Sequence, residues 1–244
     1  MTIKTRLIKA LRTSLCLIIA ISTPVFSIAA TLDDNRLFQK LATSAPDLSV
    51  NVLKNALQAT RCAVNQGLNA PTKLAVIDYS LPSSQKRLWI FDIAKGRLLL
   101  QDLVAHGRQS GDLTANAFSN REGSHQSSIG LFRGHETYSG KHGYSLRLDG
   151  LEPGVNDNAR DRAIVIHGAD YVDPSWIDRQ GRIGRSLGCP AVRQEIAKKV
   201  VDNLKDGQLV FSYYPDEEWL NSSSFLNCGK SAVAAKRNLN PGNS

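Results

Sequence analysis

The sequence predicts a mainly β domain, arranged as a sandwich or a barrel. Short apolar runs of strand length follow one another along most of the chain, turn residues separate these runs, and only two segments show helical periodicity. The chain has 244 residues, of which 42% are hydrophobic and 21% are charged. This composition is typical of a globular protein that is long enough to bury a sizeable core.

Apolar runs separated by turn residues mark the strands. The segments with strand-like length and composition are 73–79, 88–93, 97–105, 144–148, 163–167 and 208–214. Gly96 lies in the short turn that joins the second and third segments as a hairpin. Residues 106–143, between the third and fourth segments, are rich in Gly, Ser, Asn and His. A stretch this long inside a compact domain is usually functional or disordered, and its aromatic residues argue against disorder.

Helical periodicity appears on each side of this β region. Residues 47–66 repeat apolar side chains at helical spacing and are followed by Gly67. Residues 195–205 follow the same pattern and end before Gly207. Residues 31–46 are polar, and we expect them to be loosely ordered.

The first thirty residues have the pattern of a secretory signal peptide. Basic residues precede the apolar run 15–21, and small residues around Ala29 and Ala30 suit cleavage by a signal peptidase. The run is too short to span a bilayer comfortably, although an uncleaved N-terminal anchor is the alternative. The chain therefore divides into a secretory signal peptide at 1–30, a helical N-terminal extension at 31–70, one folded domain at 71–215 and a polar C-terminal tail at 216–244.

Three cysteines follow the predicted signal peptide: Cys62, Cys189 and Cys228. In an oxidising compartment an odd number leaves one unpaired thiol or forces an intermolecular bridge. A bridge between Cys62 and Cys228 would join the two ends of the mature chain and leave Cys189 free, and the alternative is that both are free. The formal net charge of +8 includes no clustered stripe of Lys and Arg, so we expect no nucleic-acid partner.

The free cysteine lies in an unusual context for a structural residue. Cys189 follows Gly188 in a loop, whereas His167 ends an apolar strand. A reactive thiol needs a nearby base or cation, and Arg185, His167 or the N-terminus of the following helix could each lower the pKa of Cys189. Acyl transfer also needs oxyanion donors, and the N–H groups of Gly188 and Cys189 are candidates, whereas Pro190 has none. The alternative is a core cysteine beside a satisfied histidine.

Other chemistries have weaker support in the sequence. The histidines are scattered without HExxH or CxxC spacing, and the best pair for a metal, His135 and His142, lies seven residues apart in a glycine-rich loop. We therefore expect no metal site. The segment 83–86 matches the S-x-x-K pattern of penicillin-binding serine enzymes, but the companion motifs of those enzymes are missing.

Several motifs in order resemble one known family. The pair His167-Gly168, followed by Ser186-x-Gly188-Cys189, resembles the signature of the YkuD-like L,D-transpeptidase catalytic domain, in its murein L,D-transpeptidase branch. The resemblance covers about residues 45–215. It also rests on the segments 104–107, 118–120, 123–130, 140–147, 156–160, 164–169 and 184–192.

This resemblance implies a fold, a reaction and catalytic roles. The fold is a YkuD-like β-sandwich or barrel with one N-terminal helix and a helix after the catalytic cysteine loop. The reaction is cysteine acyl transfer on stem peptides of bacterial peptidoglycan, in the periplasm or cell envelope. Cys189 would be the nucleophile and His167 the general base, with a backbone carbonyl near Gly168 or a neighbouring side chain orienting the imidazole. We expect no cofactor, a monomer, and acylation of Cys189 by carbapenems.

The resemblance also suggests substrate contacts, with one departure from the family pattern. Ser186 and Gly188 would shape the pocket. Family members usually have arginine two residues after the cysteine, where this chain has Ala191, so that role would fall to Arg193 or Arg185 or be absent. The segment 106–143 could form walls over the cleft, and the candidates for contacting a peptide there and beside it are His106, Ser119, Asn120, Ser124, Ser127 and Tyr144. The alternative is that these side chains stabilise turns of the loop itself.

The sequence leaves the acyl acceptor open. An amine of a second stem would give a 3→3 cross-link. Water would make the protein an L,D-carboxypeptidase, and an envelope protein could also be released or attached at the stem. A non-catalytic murein-binding module is an alternative of another class, against which the presence of both His167 and Cys189 argues.

Overall fold

The computed structural model describes residues 25–228, with side chains from residue 34 onward. Most of the predicted signal peptide therefore lies outside the described residues. Within them, no helix combines the length and hydropathy that a membrane crossing requires.

The elements in chain order are α1 (Val25–Ser44), α2 (Val50–Asn65), β1 (Lys73–Asp78), β2 (Leu88–Asp92), β3 (Arg97–Asp102), β4 (Gly130–Gly140), β5 (Gly143–Gly150), a 3₁₀ turn (Asp157–Ala159), β6 (Val165–Gly168), α3 (Pro174–Gln180), β7 (Ala191–Val192), α4 (Gln194–Leu204), β8 (Leu209–Tyr213) and α5 (Glu217–Ser222).

The predicted mainly β architecture is confirmed, as one eight-stranded sheet in the order β3-β2-β1-β8-β4-β5-β6-β7. The pairs β1–β8 and β6–β7 are parallel, and the other neighbours are antiparallel. The expected number of about six strands is wrong. β4 lies within the stretch 106–143 and is polar and exposed towards its far end, and β7 is only two residues long, so neither shows an apolar run in the sequence.

The two edge strands approach each other, which makes the sheet nearly a barrel. The chain after β3 continues alongside β7, where the Ala105 N–H donates to the Ala191 carbonyl at 2.8 Å. Asp102, at the end of β3, accepts from Arg193 after β7, with an Nη2–Oδ2 distance of 2.6 Å. These hydrogen bonds give partners to the end of β3 and to β7, so neither edge strand is left there as an open sheet edge.

Two N-terminal helices are present where the sequence analysis expected one. The expectation that 31–46 is loosely ordered is wrong, because α1 runs to Ser44 and Leu41 is fully buried in the core. Half of the residues of α1 are apolar, but they are not grouped on one face, so its periodicity is weak in the sequence. Its stability comes from packing beside α2 and β3 rather than from helix propensity.

The chain after residue 215 does not behave as a tail as far as the structure describes it. Asp216 caps α5 by accepting from the Trp219 N–H at 2.8 Å. Trp219 is 3% exposed, and its indole Nε1 donates to the buried carboxylate of Glu152 at 3.0 Å, which also accepts from the Ser223 hydroxyl. This C-terminal helix is therefore fastened to the domain, and residues 229–244 of the predicted tail lie outside the described residues.

A disulfide joins Cys62 in α2 to Cys228, with a Cα–Cα distance of 6.0 Å. This is the pairing that the sequence left open, and Cys189 is free. The apolar core lies on both faces of the sheet. One cluster packs under α1, α2 and α5, a second lies between the sheet and α4, and a small third one supports the cysteine loop.

We expect the disulfide to stabilise the fold by restricting the unfolded chain. Replacing both Cys62 and Cys228 by Ser should lower the free energy of unfolding by about 2–5 kcal/mol. Urea denaturation of the mature protein, followed by circular dichroism, measures the change. Cys189→Ser is the matched control, because it removes a thiol that takes part in no bridge. Equal midpoints for the double variant and the wild type would contradict this role.

Candidate active site

The parallel pairing of β6 with β7 brings the two predicted catalytic residues to neighbouring strands. His167 is the third residue of β6 and pairs in register with Ala191 of β7. Cys189 comes two residues before Ala191, in the loop that leads into β7. By this register Cys189 lies level with Val165, whose N–H donates to Sγ, two positions before His167 along β6. The thiol and the imidazole, far apart in sequence, therefore lie on neighbouring chain segments.

The environment of His167 fixes its tautomer and charge. The ring is 3% exposed, and Nδ1 lies 2.8 Å from the carbonyl oxygen of Gly168. A carbonyl only accepts, so Nδ1 carries the proton and Nε2 is left with a free lone pair. Burial lowers the pKa of His167 below its ordinary value, which keeps the imidazole neutral at neutral pH. The residue can thus accept a proton through Nε2.

Gly168 is needed for the close approach of α4 to β6. A Cβ atom at this position would lie 2.4 Å from Gln194 Oε1 and 2.9 Å from Ala197 Cβ. A larger residue would push the helix away from the strand that carries His167. Gly168 therefore contributes its carbonyl to the imidazole and its small size to the packing.

A second histidine, His142, stacks on His167. The ring centroids are 4.3 Å apart with an interplanar angle of 29°. His142 lies in the turn between β4 and β5, and its positive charge, when protonated, would lower the pKa of His167 further. The suggested pair of His135 with His142 does not form, since His135 Nδ1 contacts Glu136. Within residues 25–228, no group of three or more His, Cys, Asp or Glu side chains is arranged to hold a metal ion.

The Cys189 thiol interacts with the backbone that leads into β6. The Val165 N–H donates to Sγ at 3.4 Å, and the thiol donates to the Ala163 carbonyl at 3.6 Å. Burial raises the pKa of Cys189, while the Val165 hydrogen bond and the charge of Arg162 oppose this. The unliganded site therefore holds a neutral thiol. Ala163 has a φ of 53°, a strained value for a non-glycine residue.

Ser186 and Gly188 shape the loop that carries the thiol. The Ser186 hydroxyl donates to the Cys189 carbonyl at 2.6 Å and accepts from the Gly188 N–H at 3.0 Å. The Gly188 N–H is thus already used, which corrects its assignment as an oxyanion donor. Within the described residues the Cys189 N–H makes no hydrogen bond. Gly188 has a φ of 125°, and an added Cβ would lie 2.8 Å from the Gln126 carbonyl oxygen, so only glycine fits there.

Arg162, whose positive charge acts on the Cys189 thiol, was not predicted from the sequence. Its guanidinium donates to the Ser119 carbonyl, the Ser128 hydroxyl, the Ser124 hydroxyl and the Gln126 carbonyl. It lies within 3.6 Å of where a Cβ on Gly188 would be, and its positive charge lowers the pKa of Cys189. Its only sequence signal was its place three residues before β6, among other charged residues.

Three of the predicted substrate contacts serve the structure instead. Ser119 and Asn120 brace the long loop: the Ser119 hydroxyl accepts from the Arg121 N–H, and the Asn120 amide donates to Asp157. His106 is 0% exposed, and its Nδ1 accepts from Arg87 at 2.7 Å. Burial and the nearby arginine lower the pKa of His106 to about 4, so it remains neutral inside the protein. It does not face a substrate.

The remaining predicted contacts lie in different surroundings. Arg193 is paired with Asp102 where the sheet edges meet, and Tyr144 donates to Asp202 of α4 at 3.1 Å. Arg185 donates to the Gly111 carbonyl at 2.8 Å and lines a pocket beside the cysteine loop. The structure thus brings together His167, Gly168, Ser186, Gly188 and Cys189, whereas His106, Arg193 and Tyr144 have structural partners.

A free thiol and an imidazole of fixed orientation, carried on neighbouring chain segments, are the groups that enzymes forming acyl-thioesters use. The sequence matches the L,D-transpeptidase catalytic domain family over residues 44–213. This chain belongs to that family, and the predicted resemblance is confirmed. No curated protein matches the sequence.

Solved L,D-transpeptidases are distantly similar to the chain. An L,D-transpeptidase from Stackebrandtia nassauensis is 14% identical, with 74% of this chain and 77% of that chain covered and a TM-score of 0.36. One from Mycobacterium smegmatis is 15% identical, with 59% of each chain covered and a TM-score of 0.35. The LD transpeptidase LdtMt1, in complex with imipenem, is 15% identical, with 58% and 59% covered and a TM-score of 0.35. The chain spans about six-tenths of the length of the last two.

We expect the resting cysteine–histidine pair to be neutral rather than an ion pair. Burial raises the pKa of Cys189 and lowers that of His167, and both shifts disfavour a thiolate–imidazolium pair. The rate at which iodoacetamide alkylates Cys189 should therefore rise with pH through the alkaline range, with no plateau between about pH 5 and pH 8. Intact mass at timed intervals measures the rate, with Cys189→Ala as the control for labelling elsewhere. A plateau in that range would contradict a neutral pair.

We expect the charge of Arg162 to support the Cys189 thiolate. Arg162→Gln should raise the pKa of Cys189 further and slow alkylation near neutral pH by up to about tenfold, the effect of one pKa unit. Arg162→Lys is the matched control, because it retains the charge but loses the planar fork. The lysine variant should keep most of the alkylation rate while losing thermal stability. Equal rates for the wild type and Arg162→Gln would exclude this role.

Proposed function

We propose that this protein is a cysteine acyl-transferase acting on peptidoglycan stem peptides, with Cys189 as nucleophile and His167 as general base. One observation carries the proposal: the pairing of β6 with β7 puts a free thiol on the chain segment beside the strand that holds a buried imidazole, whose Nδ1 is fixed by the Gly168 carbonyl. Membership of the L,D-transpeptidase catalytic domain family supports the substrate class.

The first half-reaction transfers the stem peptide to the enzyme. His167 Nε2 takes the thiol proton, and Sγ attacks the carbonyl carbon of the amide between the L-centre of meso-diaminopimelate and the terminal D-Ala. The tetrahedral intermediate collapses, the carbon–nitrogen bond breaks, and the imidazolium returns the proton to the departing amine of D-Ala. The product is a thioester on Cys189. Before attack, the thiol must turn away from the Ala163 carbonyl, which accepts its proton in the resting site.

Charge that develops in this step has donors close by. The Cys189 N–H is the backbone donor available for the oxyanion, because Ser186 already occupies the Gly188 N–H. Arg162 contributes a positive charge next to the sulfur. Because the Cys189 thiol and the His167 imidazole start neutral, both become charged during the reaction. The fixed donors offset part of the electrostatic cost of forming these charges.

The second half-reaction releases the acyl group to an acceptor. In transpeptidation, the side-chain amine of a second stem attacks the thioester, its proton passes to His167, and the thiolate leaves to give a 3→3 cross-link. In the alternative, water is the acceptor and the protein is an L,D-carboxypeptidase. An envelope protein as acceptor is a third outcome of the same thioester, and a non-catalytic murein-binding module would form none.

We also propose an exported location, in the periplasm or cell envelope of a bacterium. The predicted signal peptide supports this, as does the disulfide between Cys62 and Cys228, because such bridges persist in oxidising compartments. Carbapenems should acylate Cys189 in the same way as the stem peptide, because their strained amide offers the thiol an equivalent carbonyl.

Incubation of the mature protein with tetrapeptide muropeptides, followed by mass spectrometry, tests the reaction. We expect release of D-Ala and a cross-linked dimer, and loss of both with Cys189→Ala or His167→Ala by at least about 10³-fold, as for the removal of other nucleophiles and bases. Ser83→Ala is the control, because it alters the unrelated S-x-x-K segment. Tripeptide without dimer would indicate the carboxypeptidase. Equal activity of wild type and Cys189→Ala would refute the proposal.

A further inference from the structure

A cationic pocket of about 310 Å³ lies beside the cysteine loop. Gly184 and Arg185 of this loop form part of its wall, directly before Ser186. The opposite wall includes Arg108, whose N–H donates to the Ser186 carbonyl at 2.8 Å. The pocket is therefore fastened to the same loop that positions Cys189.

Three guanidinium groups line this pocket, and one carboxylate faces them. Asp112 lies 2.8 Å from Arg182 Nε and 3.2 Å from Arg185 Nη1, and its side chain is 71% exposed. Arg108 contacts the Nδ1 atom of His125 at 3.1 Å rather than an acid. The walls thus carry three positive charges against one negative charge. Exposed ion pairs such as those of Asp112 contribute little stability, so another carboxylate can displace this one.

An aromatic wall completes the pocket. Trp176, from α3, is half-buried and lies in the wall together with Tyr171, whose carbonyl accepts from the Gly184 N–H at 2.7 Å. Burial raises the pKa of Tyr171 to about 12, so this phenol adds no negative charge. Arginine forks beside a flat indole suit a ligand with a carboxylate on a short apolar stem.

Other cations near the cysteine loop are already committed. Arg162 makes four hydrogen bonds within the long loop, and Arg193 is paired with Asp102. Asp173, at the start of α3, caps that helix by accepting from the Ser175 N–H and does not line the pocket. The pocket therefore holds the guanidinium groups of this region that can accept a new anionic partner.

We propose that this pocket binds a free carboxylate of the stem peptide that acylates Cys189, with Arg182 and Arg108 as its principal contacts and Asp112 as a built-in competitor. This inference rests on the proposed function, since it names how the same site would recognise its donor. It predicts an asymmetry: loss of an arginine weakens binding, whereas loss of the Asp112 charge strengthens it.

Binding without turnover tests the pocket directly. In a Cys189→Ala background, the dissociation constant for a tetrapeptide muropeptide is measured by calorimetry. Arg182→Gln should raise the dissociation constant by about tenfold, the loss expected for a charge-assisted hydrogen bond. Asp112→Asn should lower it several-fold. Arg179→Gln is the matched control: it lies over the Trp176 ring at 5.8 Å but does not line the pocket.

Amidated ligands identify the chemistry. A series of stem peptides is prepared in which one carboxylate at a time is replaced by a carboxamide. One of these peptides should bind equally well to the Cys189→Ala protein with Arg182 and to the Cys189→Ala protein with Arg182→Gln. If every amidated peptide still binds more weakly to the Arg182→Gln protein, Arg182 does not bind a carboxylate of the stem peptide. Equal weakening by Arg179→Gln and Arg182→Gln would indicate general charge attraction and overturn the proposal, as would an unchanged affinity in Asp112→Asn.

Different outcomes would disprove the pocket and the proposed reaction. If the Cys189→Ala protein binds with the predicted asymmetry but the wild type releases no D-Ala, the pocket stands and the proposed reaction is wrong. If the wild type releases D-Ala and KM is the same in Arg182→Gln and Asp112→Asn as in wild type, the reaction stands and the pocket proposal is wrong. Thermal unfolding of each variant shows whether any loss reflects misfolding.

Discussion

The short parallel pairing between β6 and β7 is the interaction on which the rest of the site depends. It places His167 beside Ala191, and therefore the strand that carries the imidazole beside the loop that leads into β7. Two residues of strand are a weak connection by themselves, and the surrounding structure supports them. Asp102 holds Arg193 directly after β7, the Ala105 N–H binds the Ala191 carbonyl, and α4 packs against Gly168. The closure of the sheet and the geometry of the candidate site are therefore one and the same constraint.

Around this pairing, the site is polar but its chemistry starts from neutral groups. Burial affects the two reactive groups in opposite directions, raising the pKa of the Cys189 thiol and lowering that of the His167 imidazole. Both shifts favour the uncharged forms, since burial always disfavours the charged one. The fixed charges belong instead to neighbours, with Arg162 braced by the long loop. That loop thus supports the thiol by holding a cation, which is a different role from lining a cleft with polar side chains.

Sequence patterns predicted most of the strands and both reactive residues, and the misses have identifiable causes. β4 was not predicted because it is half exposed, and β7 was not predicted because it is two residues long. α1 was not predicted because its apolar residues are not grouped on one face and pack only once α2 and β3 lie beside them. His106 and Arg193 were expected at the substrate, but polar residue types do not reveal burial. Only the folded chain shows that one lies inside the protein beside Arg87 and that the other joins two strand ends.

The sequence by itself determined the mainly β class and the family, because strand periodicity and short motifs are local features. The same motifs predict Cys189 and His167 as the catalytic pair. The tertiary structure alone decided which partners the charged and polar groups have. It paired Cys62 with Cys228, joined Arg193 to Asp102 and brought Arg162 next to Cys189. Such pairings join residues that are distant along the chain, and they arise from packing in three dimensions rather than from any preference of the local sequence.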